Sequence, residues 1–225
     1  MTINEFLSSE GLGGNLIKYD ISTTYSLNLP KCSKEFLTQV GVSVNPRRSC
    51  GPISFVYPNL PKLSDVYLQS SVGTHERDLR VFAHFSLYEN SQPLVYHCLE
   101  NHSGSMYCFG MDFFREYSTT YCNSSINQFF EFLIILDNYE KWLFDYIENN
   151  VESNIDKNVI KSIANETFDK LQACDYQATS EAIEWINCED DPSNPRYLDM
   201  DAKMTMTSVL VSLIKRGHWD TQPLF

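Results

Sequence analysis

Leu79-Arg80-Val81-Phe82-Ala83-His84-Phe85-Ser86-Leu87-Tyr88 decides the fold. Apolar and polar residues alternate along it, which places Val81, Ala83, Phe85 and Leu87 on one face of a strand. Glu89-Asn90-Ser91-Gln92-Pro93 reads as a turn. Leu94–Leu99 is a second strand, Glu100–Gly104 a second turn, and Met106–Met111 a third strand. Strands joined by turns this short pair antiparallel, so the run is a meander. Tyr117–Cys122 adds a further strand, and Ile53–Tyr57, which ends at Pro58, is a short strand before the meander.

Outward from this core the pattern turns helical. Asn123-Ser124-Ser125 offers helix caps. Ile126, Phe129, Phe130, Leu133, Ile134 and Leu136 follow at spacings of three and four, and the helix extends through Trp142 to Ile147. Ile155, Val159, Ile163 and Phe168–Leu171 predict a second helix. Ala178, Ala182 and Ile186 begin a third, and Met204–Ile214 makes a fourth. Upstream, Phe36, Leu37 and Val40 have helical spacing, Pro30 suits a first turn and Gly41 a stop. Pro46, Pro52, Pro58 and Pro61 keep most of 42–75 out of a helix. Residues 1–27 carry no decisive pattern. The expectation is an α+β fold in one domain over 1–225. It comprises a lead-in (1–27), a helix, central antiparallel meander and following helix (28–147), and a helical extension (148–225).

At 225 residues, 43% hydrophobic and 13% aromatic, the chain is long and apolar enough for a core without disulfides or metal. Its formal charge is −12, which argues against nucleic-acid or anionic-membrane partners. The charge is local: residues 140–201 hold 15 acids and five bases, net −10. Such a stretch is either a solvated face or a docking surface for a basic partner. No apolar run has the length of a signal peptide or a membrane span, so the expected compartment is the cytoplasm. The seven cysteines are odd in number and lack a C-x-x-C pair, which suits reduced core residues.

Motifs for chemistry are few. There is no zinc-deaminase signature, H-E-x-x-H, G-x-S-x-G or phosphate-binding loop. His97-Cys98 is the nearest approach to a nucleophile with its base. Adjacent strand residues point to opposite faces, so His97 does not activate Cys98. His75, His97 or Cys98 would suggest an enzyme only if a pocket gathered them beside carboxylates. Glu189, Asp190, Asp191, Asp199 and Asp201 cluster around Pro192 and Pro195 without calcium-loop spacing. No catalytic residue, metal or cofactor is assigned. The candidate partner-binding residues are those five acids with Tyr57, Tyr67 and Tyr117, tyrosine being enriched in interfaces.

Leu29-Pro30, Phe36-Leu37 and Gly41-Val42 together resemble the "L-P … F-L … G-L/V-P" opening of the SUKH superfamily. Residues 94–111 look like its paired central strands around a glycine turn. Asn123-Ser124-Ser125-Ile126 leading to Phe129-Phe130 is similar to its "N-S-S-L-x-x-F-L" helix entry. Asp175 with Ala178, and Leu213–Trp219, resemble its fourth subgroup. The likeness covers roughly residues 28–220; the proline after the first glycine comes later, at Pro46, and the usual tryptophan near Thr207 is absent. The resemblance implies an α+β binding protein without catalytic residues. It implies an immunity protein that neutralises a polymorphic bacterial toxin, commonly a nuclease or nucleic-acid deaminase, by covering its active or substrate-binding site. A scaffold or regulatory module with a non-toxin partner is the alternative.

Overall fold

Residues 1–9, 16–45, 53–67, 78–86, 93–111, 117–150 and 156–180 are described by a computed structural model of the chain. Five antiparallel strands form one sheet in sequence order: β1 (Phe55–Val56), β2 (Arg80–Phe85), β3 (Val95–Leu99), β4 (Met106–Met111) and β5 (Tyr117–Asn123). This is the meander that the alternation predicts. The β3–β4 turn is built by Glu100, whose carboxylate accepts from the backbone N–H groups of His102 (3.2 Å) and Ser103 (2.6 Å). Gly104 completes it at φ 74°, where an added Cβ would stand 2.9 Å from Pro30 Cδ. The turn is thereby seated against the start of the helix that follows Pro30.

One expectation fails. Val81 and Ala83 do not share a face. Val81 is opposite Cys98 and Ala83 opposite His97, because β2 carries a bulge between them. The extra residue, Phe82, advances the alternation by one. Val81 packs with Leu63, Leu79, Tyr96 and Phe109, whereas Phe82 and Ala83 join the main core on the other face. A second bulge lies in β5: Tyr107 pairs with Tyr121 and Met106 with Asn123, which leaves Cys122 between them.

Helix α5 (Ile126–Asn149) covers the main-core face. Ser125 caps it, accepting from the Gln128 N–H at 3.2 Å. Its predicted stripe is buried, Ile126, Phe129, Phe130 and Leu133 included. The preceding helix α3 (Lys31–Glu35) begins after Pro30, which stands at its cap, and widens into a π-helical turn at Phe36–Val40. That turn brings Phe36 flat against Phe130, with ring centroids 5.2 Å apart. Gly41 ends it at φ 85°, where a Cβ would strike the Ile17 carbonyl.

The lead-in contains two short helices, α1 (Ile3–Ser9) and α2 (Ile21–Ser26). Helices this short are not stable alone. Burial of Phe6, Leu7 and Tyr19 holds the lead-in, and the Tyr19 hydroxyl donates to the Phe82 carbonyl at 2.8 Å. A four-residue helix, α4 (Leu63–Val66), covers part of the other sheet face. Helix α6 (Lys157–Cys174) packs on α5 through Ile160, Ala164 and Leu171.

Residues 176–180 open the next helix, and the predicted Met204–Ile214 helix lies outside the described residues. Asp175 joins the parts. Its buried carboxylate accepts from the Ser124 N–H (2.6 Å), the Ser124 hydroxyl (3.0 Å), the Asn123 side-chain amide (3.3 Å) and the Ala178 N–H (3.2 Å). One carboxylate therefore fixes the β5–α5 junction and caps the helix beginning at 176.

Candidate functional site

Two surfaces and one interior cluster carry the functional possibilities. The first surface lies where β1, the outer strand, meets β2. Phe55 is 49% exposed; its ring stacks on His84 at 5.4 Å and meets Tyr57 edge-on at 5.0 Å. Tyr57 Oη lies 2.7 Å from His84 Nδ1. Burial, then the charge of Cys98, raises the Tyr57 hydroxyl above its ordinary value, so it keeps its proton. Burial, then the charge on His97, lowers His84 below its ordinary 6.5. The Tyr57 hydroxyl is thus placed to donate to Nδ1 of a neutral His84 in the tautomer protonated at Nε2. The aromatic run continues inward through Tyr96 and Phe109.

The second surface is the exposed side of α5. Phe144 is 58% exposed, with exposed Asp145 beside it and exposed Glu148 one turn on. The nearby cation, Lys141, is held by Asp137 at 3.0 Å. An apolar ring set among carboxylates suits a partner that is basic and has an apolar pocket. Asp156, Glu166 and Asp169 are further exposed acids on and before α6, with Lys170 bridged to Glu166 at 2.7 Å.

The predicted residues are distributed unevenly. Glu189, Asp190, Asp191, Asp199 and Asp201 lie outside the described residues. Tyr57 is half-buried in the first surface. Tyr67 is only 4% exposed, its ring against Tyr96 and Phe109, so it supports the same sheet face from within. Tyr117 begins β5 opposite Met111, and its side chain is outside the described set. The structure thus brings Tyr57 and Tyr67 to one side of the sheet without joining them in a common surface.

Two features add to the residues expected from the sequence. Phe144 stands one position off the buried α5 stripe that includes Leu143, and an apolar residue off the stripe between acids is the signal for it. The other is interior. His97 and Cys98 do point to opposite faces, but His97 pairs across the hairpin with Cys108. Its Nδ1 is 3.5 Å from Cys108 Sγ, and Cys122 Sγ is 3.2 Å from the same sulfur. The spacing from 97 to 108 becomes informative only after the Glu100–Ser105 turn fixes the register.

A polar cleft of about 320 Å³ is lined by Lys62, Asp78, Arg80, Glu100, Asn101 and His102 beside Leu79. Its two cations and two carboxylates balance, and Lys62 already binds Asp78 at 3.0 Å, which holds that carboxyl below its usual range. Among the described residues no group of three or more His, Cys, Asp and Glu side chains is arranged to hold a metal ion. Among the same residues no helix is long and apolar enough to cross a membrane. Comparison of the chain with protein-family models, with curated proteins and with solved structures finds no match.

Proposed function

We propose that the chain is a binding protein of the SUKH immunity type, acting in the cytoplasm to neutralise a basic bacterial toxin domain by contact rather than catalysis. The toxin is a nuclease or nucleic-acid deaminase. Its phosphate-binding cations are met by carboxylates, which shuts the substrate out. The observation that carries this reading is Phe144, exposed on α5 beside Asp145 and one turn before Glu148. It supplies an aromatic anchor and a local negative field together, the pairing that gives affinity and fast association respectively. The α+β order, with a glycine turn seated on the Pro30 region, supports the family resemblance.

Co-expression with the toxin domain encoded beside this gene tests the proposal. Toxicity is expected to be suppressed and a complex to co-purify. Phe144→Ala is expected to weaken the complex roughly 30-fold, the effect of a 2 kcal/mol anchor. Binding is expected to weaken as salt is raised. A toxin that stays fully active in the presence of the chain overturns the proposal.

A further inference from the structure

Beneath α5 lies a group of side chains that apolar packing does not call for. Cys108 on β4 touches His97 on β3 through Nδ1 at 3.5 Å and Cys122 on β5 at 3.2 Å, with the Cys122 thiol donating. The rings of Phe82 and Phe129 stand at 5.9 Å from the His97 ring. Regular pairing sets Cys108 opposite Thr120. Cys122 would then be a diagonal neighbour, roughly 7–8 Å away between backbones. The β5 bulge turns its sulfur onto Cys108 instead, and bulges re-aim side chains in this way.

We propose that Cys108 and Cys122 are a peroxide-reactive thiol pair, Cys108 being the sulfur attacked and Cys122 the one that resolves it to a disulfide across β4 and β5. The inference is independent of the toxin-binding reading. Cys108 gives its proton to His97 Nδ1, and the thiolate attacks one oxygen of a hydroperoxide. The O–O bond breaks, an S–O bond forms, and the departing oxygen takes the proton from His97 and leaves as water or an alcohol. Cys122 sulfur then attacks Cys108 sulfur. The S–O bond breaks, the S–S bond forms, and the hydroxide leaves as water with the Cys122 proton. Two thiols and one hydroperoxide thus give one disulfide, one alcohol or water, and one water.

The electrostatics agree with these roles. The hydrogen bond from Cys122, and after it the charge of His97, hold the Cys108 thiol below its ordinary value against the opposing effect of burial. Burial, then the hydrogen bond to Cys108, raises Cys122, which suits the thiol that resolves rather than the one attacked first. Cys98 acts on Cys122 from the other side of β3. Cys108 is only 8% exposed, which selects a small oxidant such as hydrogen peroxide over a bulky disulfide. The sulfurs need to close by roughly 1 Å to reach bonding distance.

The full chain, carrying Cys32→Ser to remove the thiol that is exposed among the described residues, is treated with one equivalent of hydrogen peroxide. Peptide mapping without reductant is expected to show a Cys108–Cys122 disulfide and the loss of two thiols per chain. Cys122→Ser is expected to leave a sulfenic acid on Cys108 that dimedone traps. His97→Asn is expected to slow oxidation roughly tenfold at neutral pH by reducing the thiolate fraction, and to make the rate climb with pH where the parent is level. Cys108 and Cys122 both remaining alkylatable after peroxide treatment and unfolding overturns the proposal, whatever the variants do.

Discussion

The two faces of the sheet place a histidine in opposite settings. On one face α5 covers His97, which is 4% exposed between the Phe82 and Phe129 rings and beside the Cys108 thiol. On the other, His84 is half-buried between Phe55 and the Tyr57 hydroxyl, under a partial cover supplied by α4 and its neighbours. The same five strands supply both. What differs is the covering element: a 24-residue amphipathic helix in the first case, a four-residue one in the second. Burial depth, and with it the chemistry open to each histidine, follows from the length of the cover.

Removing a ring from under the long helix has the largest expected effect. Phe129→Ala is expected to lose about 3–5 kcal/mol in urea unfolding, because α5 cannot collapse into the void. A loss below about 1 kcal/mol would mean that α5 is not the main seal. Asp175→Asn tests how that helix is held at its entrance. The amide turns an N–H toward donors, and a loss of about 3 kcal/mol is expected from the broken charge-assisted bonds.

On the thinly covered face effects are smaller. Tyr57→Phe deletes one hydrogen bond to His84 while keeping the ring, and about 1 kcal/mol is expected. His84 has its folded value lowered and titrates near 6.5 once unfolded. Its stabilising contribution is therefore whole above pH 6.5 and declines as pH falls toward the folded value, since the unfolded chain then takes up the proton more readily. His84→Gln is expected to flatten the change in urea midpoint between pH 7.5 and 5.5. An unaltered slope would show that His84 does not contribute to it.

Much of this architecture is legible from residue pattern. Period-two alternation with turn chemistry at Glu100–Gly104 locates the hairpin, and the three-four spacing from Ile126 locates α5. The bulges at Phe82 and Cys122 are not legible, since one extra residue in a strand leaves the composition unchanged. The short helices of the lead-in are equally silent, because tertiary burial of Phe6 and Tyr19 forms them rather than propensity. For the site, neighbour logic correctly separates His97 from Cys98, but the partner that matters is reached through register, and register lies outside any local window. Of the tyrosines chosen for their place near loops, Tyr67 shows why that criterion is weak: its ring faces inward.

The odd residue at Cys122 also sets the parity of everything after it in β5. Tyr121 points to the face of Tyr107, and Asn123, two residues on, pairs with Met106 on the opposite side. Strict alternation would have returned Asn123 to the tyrosine side and carried its amide away from Asp175. Loss of a single residue from 117–123 is therefore not a local shortening. It would transpose the polar link that receives α5 onto the wrong side of the sheet, so β5 tolerates substitution far better than a change in its length.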